Sequence, residues 1–163
     1  MSRKVWQPAR IYVASSWKNL LLDSLIEQLR GRGHDVYDFR HADEMASFSF
    51  AKLGINNITA PDNARFAINT APARAQLERD LDAIHAADVL ILVNPCGRSA
   101  HFEAGYAVAL GKRVVVLQDK HEPDLLYAMA DRIETTLNGV IAALDSIAWE
   151  LGEGNDSKMG FRK

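Results

Sequence analysis

The chain has 163 residues, 48% of them hydrophobic and 25% charged, which excludes the low-hydrophobicity, high-charge signature of disorder and leaves room for one domain with one core. With 19 Lys and Arg against 21 Asp and Glu there is no positive surplus to neutralise a duplex, so a nucleic-acid partner is not expected, although a local anion site remains open. Cys96 is the only cysteine, which rules out an internal disulfide framework and a Cys-rich zinc site and fits a reducing compartment. No apolar run approaches the ~20 residues of a membrane span, and residues 1–10 lack the apolar core of a signal peptide; a cytoplasmic protein with no membrane partner is expected.

The apolar pattern alternates between short β-branched runs and longer stretches of helical period, as when strands and helices take turns over a parallel sheet. Ile11-Tyr12-Val13 predicts a first strand. From Trp17 to Arg30, Leu21, Leu22, Leu25, Ile26 and Leu29 recur at helical spacing, with Gly31 or Gly33 as the stop. Residues 34–39 predict the second strand. The stretch from Arg40 to Thr70 has no sustained period and reads as a long loop with one or two short helices, either an active-site lid or a surface excursion. Pro72 to Ala87 predicts a helix that buries Leu77, Leu81 and Ile84, with Pro72 suited to its first turn. Val89 to Val93 is continuously apolar and suits a central parallel strand covered on both faces. A turn-rich stretch from Asn94 to Ser99 leads into a helix from about Ala100 to Leu110, closed by Gly111, and Val114 to Leu117 predicts the fourth strand. Glu122 to Met129 and Leu137 to Leu151 predict further helices with a short strand at Arg132 to Thr135 between them, and the Gly-rich polar tail from Gly152 to Lys163 is expected to fray. Four or five parallel strands in the order 2-1-3-4-5 give a flavodoxin-like three-layer α/β sandwich, one domain over residues 1–151.

In such a sheet ligands bind outside the carboxyl ends of the strands, near the switch in strand order. That selects Ser15, Ser16 and Trp17 after strand 1, Asp38 and Arg40 after strand 2, and the Asn94–Glu103 segment after strand 3. In the last segment Gly97 allows a tight turn and Ser99 can cap the next helix. The free N–H groups of that first turn, with Arg98, make a positive pocket for an anion, while the same string also reads as a plain strand end and helix cap. Glu103 lies in the first turns, where the macrodipole favours an ionised carboxylate suited to nucleophilic attack or to a structural role. Asp80 and Asp82 lie on the preceding helix and Asp88 opens strand 3. One attacking carboxylate and a second that moves a proton is the pairing needed to break a glycosidic bond through an oxocarbenium-like transition state; spacing does not say which Asp reaches Glu103. Gly111-Lys112 precedes a strand, the wrong context for a phosphate-cradling loop. His101 and Glu103 share no helix face and no other His or Cys has ligand spacing, so neither a metal nor another cofactor is expected. Cys96 beside His101 suggests a thiol nucleophile, but a lone buried cysteine is ordinarily an inert small hydrophobe.

Three groups of residues resemble the nucleoside 2-deoxyribosyltransferase family and its nucleotide N-glycosidase relatives. They are Ile11-Tyr12-Val13-Ala14-Ser15-Ser16, the Asp80-Leu81-Asp82 string ahead of Ala87-Asp88-Val89, and Gly97-Arg98-Ser99-Ala100-His101-Phe102-Glu103-Ala104-Gly105-Tyr106-Ala107 with Gly111-Lys112. The resemblance spans roughly residues 10–129. It implies that Glu103 of the E-x-G-x-A helix attacks C1′ of a sugar, that Asp80 or Asp82 handles the proton on the leaving base and holds the sugar, and that Tyr12 fixes the nucleophile. The implied substrate is a nucleoside or nucleoside 5′-monophosphate, acted on without a cofactor, with Arg98 and Ser99 as a phosphate cradle. Where family transferases often carry an acidic or hydroxyl residue six positions before the glutamate, this chain has Gly97, so a base or sugar contact is replaced. Leu126-Tyr127-Ala128-Met129 resembles the stretch that the family donates to a neighbouring subunit's site, which implies a homodimer or higher oligomer with Tyr127 and Met129 at the shared site. Two readings from other classes compete: a non-catalytic nucleotide-binding module, and a NAD-cleaving domain of the Toll/interleukin-receptor type.

Overall fold

A computed structural model describes residues 5–41 and 48–158 of the chain. Five parallel strands, β1 (Arg10–Ala14), β2 (Asp35–Asp38), β3 (Val89–Val93), β4 (Arg113–Leu117) and β5 (Arg132–Glu134), form one sheet in the order β2-β1-β3-β4-β5. Five helices surround it: α1 (Leu22–Gly31), α2 (Pro61–Ile68), α3 (Ala71–Ala86), α4 (Arg98–Ala109) and α5 (Leu137–Lys158). This is the flavodoxin-like arrangement that the alternating pattern predicts. No helix among the described residues is long and apolar enough to cross a membrane.

Strand alternation divides the core in two. Ile11, Val13, Val89, Ile91, Val93, Val115 and Leu117 face α1 and α5, packing on Leu22, Leu25, Leu29, Val140, Leu144 and Ile147. Tyr12, Ala14, Leu90, Leu92, Val114 and Val116 face α3 and α4, packing on Ile84, Ala100, Ala104 and Ala107. Every residue of β3 is buried, because both faces of the central strand are covered. The second core is built with small alanines on α4, which lets that helix sit close to the strands.

Several elements depart from the sequence reading. The helix predicted from Trp17 starts at Leu22, because the side chain of Asn19 organises the residues before it. Asn19 is buried; its Nδ2 donates to the Val93 carbonyl at 3.2 Å and its Oδ1 accepts from the Leu21 N–H at 3.0 Å, tying the β1–α1 turn to the end of β3. On α3, Ile84 is buried as predicted but Leu77 is 47% exposed. The inward stripe instead runs Ala73, Gln76, Asp80, Ile84, placing two polar residues against the body of the protein. Residues 122–129, expected to be helical, contribute only a 3-10 turn at Leu125–Met129, started by Asp124 Oδ1 accepting from the Leu126 N–H at 2.8 Å. Helix α4 begins two residues earlier than predicted, and its N-cap is Gly97, not Ser99; no side chain caps it. Gly97 has φ of −92°, so no left-handed turn demands glycine there. Helix α5 continues past Leu151 through residues 152–158 of the polar tail. At Gly152 any Cβ would overlap the Val5 carbonyl, so the N-terminal segment crosses this helix at a glycine. The long stretch after β2 holds a 3-10 turn at Phe50–Leu53 and α2, which packs on α3; residues 42–47 of the expected lid lie outside the described residues.

Candidate active site

Two tyrosines form the floor of the site. Tyr12 on β1 and Tyr37 on β2 are register partners in the parallel ladder, so their side chains leave the same face, and their rings stack with centroids 5.2 Å apart and planes inclined by 17°. Tyr12 is completely buried. Over this floor α3 brings Asp80 and α4 brings Glu103, each partly buried. Tyr37 Oη donates to Asp80 Oδ1 at 3.0 Å, and Gln76 Nε2 donates to the same oxygen at 2.9 Å. The Tyr12 hydroxyl completes no hydrogen bond of full geometry, yet it lies close enough to Glu103 to draw that carboxyl's pKa down against stronger opposing effects.

Those opposing effects are burial first and the nearby Asp80 carboxyl second, and together they push Glu103 up to about 7. The sequence reading expects the helix macrodipole to keep Glu103 ionised at neutral pH; burial and like charge outweigh it. Burial also raises Asp80, against the hydrogen bonds from Gln76 and Tyr37. Both tyrosines titrate above their ordinary range, from burial and then from the carboxylates beside them. A carboxyl pushed near neutrality beside a second raised carboxyl is a pattern typical of acid–base chemistry.

The other candidate residues separate into those tied up and those open. Asp82 is exposed, two residues round the helix from Asp80 and off its inward face. Asp88 lies at the opposite end of the sheet, bound to the Arg10 backbone N–H at 2.8 Å and guanidinium at 3.1 Å. Ser15 is structural here: its Oγ donates to the Val93 carbonyl at 2.7 Å and accepts from Asn19 Nδ2 at 3.0 Å. Asp38 is buried and gripped by Arg40, whose Nε and Nη2 lie 3.0 and 2.9 Å from its two oxygens; burial would raise its carboxyl, but the Arg40 bonds hold it below the usual range. Trp17 is 51% exposed and meets Phe39 edge to face, and Phe39 packs on the α1/α5 side of the core. Gly97, Arg98 and Ser99 are exposed at the N-terminus of α4, and Arg98 has no ion-pair partner among the described residues.

His101, two residues before Glu103 and hence on another face of α4, belongs to a separate network. Its Nδ1 donates to the Gly97 carbonyl at 2.9 Å, so its Nε2 is the acceptor for Tyr127 Oη at 2.9 Å, and Asn94 Nδ2 in turn donates to that hydroxyl at 3.1 Å. Tyr127, expected at a subunit interface, is thus turned into its own chain, whereas Met129 is 51% exposed. Cys96 Sγ donates to Asn94 Oδ1 at 3.3 Å, and burial pushes its thiol up to about 11, which leaves no thiolate for attack near neutral pH. An open cleft of about 450 Å³ adjoins this network, between His101, Tyr127 and the Gln118–Asp124 loop.

No protein-family model matches the sequence, and no curated protein does. Among solved structures, the 2-deoxyribosyltransferase of Bacillus psychrosaccharolyticus matches 81% of this chain and 90% of its own, with a TM-score of 0.52 and 21% identity. The fold is similar to that of a 2-deoxyribosyltransferase. The CMP N-glycosidase of Clostridium botulinum matches 83% of this chain and 98% of its own, with a TM-score of 0.48 and 20% identity. Within this deoxyribosyltransferase-like fold, Asp80 and not Asp82 is the aspartate that sits beside Glu103, and Tyr37 and Gln76 are site residues that the sequence reading missed. The helical spacing of Gln76, Asp80 and Ile84 was the available signal: polar residues on an otherwise inward stripe.

Because the folded state raises Glu103 from its ordinary 4.5 to about 7, the folded chain holds a proton there that the unfolded chain releases. Stability therefore falls as pH rises between these values, and above pH 7 the ionised group costs about 3 kcal/mol. Glu103→Gln removes that cost, so its Tm should exceed the wild type's by several degrees at pH 8 and by little at pH 5. Thermal unfolding at the two pH values checks this; an equal shift at both contradicts a buried, proton-sharing Glu103.

Proposed function

We propose that this protein breaks the N-glycosidic bond of a nucleoside or nucleoside 5′-monophosphate, releasing the base to water or exchanging it for another base, with Glu103 as nucleophile and Asp80 as the proton-handling partner. The observation that carries this reading is the placing of Glu103 and Asp80 together, half-buried on facing helices, where burial and the Asp80 carboxyl push Glu103 up to about 7 and burial raises Asp80.

The reactive form of the pair has its charge on Glu103 and its proton on Asp80. A Glu103 oxygen attacks C1′, the C1′–N bond breaks, and its electron pair leaves with the base, whose nitrogen takes the proton from Asp80. The products are a free base and a glycosyl ester of Glu103. In the second half, water or the nitrogen of an incoming base attacks C1′, Asp80 takes up the proton, and Glu103 departs as a carboxylate. Tyr12, at the Glu103 carboxyl, supplies an O–H for the ionised form and limits where it can turn. The scheme needs no cofactor. The exposed N–H groups at the start of α4, with Arg98 and Ser99, support recognition of a 5′-phosphate.

Glu103→Gln should lower base release from the true substrate, found by screening a nucleoside and nucleotide panel, by roughly a thousandfold or more while leaving the fold intact. In the wild type kcat/KM should fall as pH rises through about 7, when the pair loses its last proton. Asp80→Asn should abolish that falling limb along with most of the activity. Base release by Glu103→Gln at the wild-type rate contradicts covalent catalysis.

A second expectation concerns charge: a 5′-monophosphate should bind about 10- to 100-fold better than its nucleoside, and Arg98→Ala should erase the preference. Equal affinities in the wild type, measured by calorimetry, return Arg98 to a surface role.

The assembly that accompanies this reading is a homo-oligomer in which the exposed Leu125, Leu126 and Met129 meet a neighbouring subunit. A solution mass of one 18.1 kDa chain under conditions of full activity is the result that defeats it.

A further inference from the structure

We propose that Tyr37, together with Gln76, is a positioning residue for Asp80: the two hold its carboxyl through Oδ1 and leave Oδ2 as the working oxygen for the proton and the sugar. This rests on the reaction proposed above and assigns a role that the resemblance does not supply.

Both donors reach one oxygen. Tyr37 Oη lies 3.0 Å and Gln76 Nε2 2.9 Å from Oδ1, and no hydrogen bond to Oδ2 is made among the described residues. Neither donor is free to turn away. Arg79 Nη2 donates to Gln76 Oε1 at 2.8 Å, which fixes the amide with its NH₂ end toward Asp80. The Tyr37 ring is stacked on Tyr12, its register partner, and Tyr12 is completely buried. The groups facing Asp80 are thus Tyr37 from β2, Tyr12 from β1, Glu103 from α4 and Arg79 and Gln76 from its own helix. The stacked tyrosines serve one carboxyl each, Tyr12 for Glu103 and Tyr37 for Asp80. A tyrosine needed only for packing has no use for a hydroxyl at this point; phenylalanine fills the same stack.

The electrostatic consequence follows from hydrogen-bond polarity. Both donors favour the ionised carboxyl, so they oppose the burial that raises Asp80. Removing the Tyr37 hydroxyl raises Asp80 further and loosens its geometry. A role confined to tying β2 to α3 would change stability and nothing else.

Tyr37→Phe keeps the ring and deletes the donor. Followed by carbon NMR of the labelled carboxyl groups, the Asp80 midpoint should move up by about half to one pH unit, and Gln76→Ala should move it in the same direction. On the substrate identified in the panel, Tyr37→Phe should lower kcat about tenfold with KM nearly unchanged, and the falling limb of kcat/KM should shift to higher pH. An unmoved Asp80 midpoint overturns the inference, as does a moved midpoint with unaltered kcat. If Tyr37→Phe does not fold, Gln76→Ala decides by the same readings. A wild-type protein that releases base from no member of the panel defeats the proposed function alone, and the NMR midpoint still decides whether Tyr37 governs Asp80.

Discussion

Two carboxyl groups confined in one partly buried space are the constraint around which this site is arranged. In water Glu103 and Asp80 would both ionise; here burial raises both carboxyls, and the Asp80 charge adds to the rise that takes Glu103 up to about 7. Everything nearby serves to tolerate that conflict. Tyr12 lies against Glu103, Tyr37 and Gln76 hold Asp80, and the alanine face of α4 lets the helix approach the strands closely enough to bring Glu103 over the tyrosine floor. The charge conflict that lowers stability above neutral pH is the feature on which the proposed pairing of a nucleophile with an acid rests.

Helix α4 divides the carboxyl end of the sheet into two regions of different character. Toward α3 lies the acidic pair. On another face of the helix, Asn94, Cys96, His101 and Tyr127 form a connected network of donors and acceptors. That network is committed to holding the end of β3 against the 3-10 turn that follows β4. It explains why a cysteine and a histidine five residues apart do not make a thiol nucleophile: the histidine's Nδ1–H is directed at the Gly97 carbonyl, and the thiol stays protonated.

The turn after β1 shows a related economy. Ser15 and Asn19 occupy the place where the strand order switches and a ligand is expected, but both spend their polar atoms on the end of β3. Asp38, after β2, is similarly neutralised by Arg40. The start of α4 with Arg98 is left open, a cationic place suited to an anion.

How much of this was legible in the amino-acid order depends on the range of the interaction. Four strands and four of the five main helices follow from apolar periodicity, a local property that the core of a three-layer sandwich reinforces, and the strand order from right-handed crossovers; β3, apolar at all five residues, could only be central. Glu103 and Tyr12 were identifiable because they sit in short motifs. The choice of Asp80 over Asp82 was present in the helical spacing of Gln76, Asp80 and Ile84, but obscured by Leu77, whose apolar side chain points to solvent. Tertiary structure alone decided the rest: Asn19 cutting short α1 by bonding across 74 residues to Val93, Arg40 claiming Asp38, Tyr127 turning inward to His101, and Tyr37 meeting Asp80 from 43 residues away. Except for Arg40 and Asp38, two residues apart, each is a side-chain hydrogen bond between separate elements. Its direction depends on strand register and helix rotation, which a linear pattern does not encode, whereas burial of one face of a strand or helix is written in every second or every third and fourth residue.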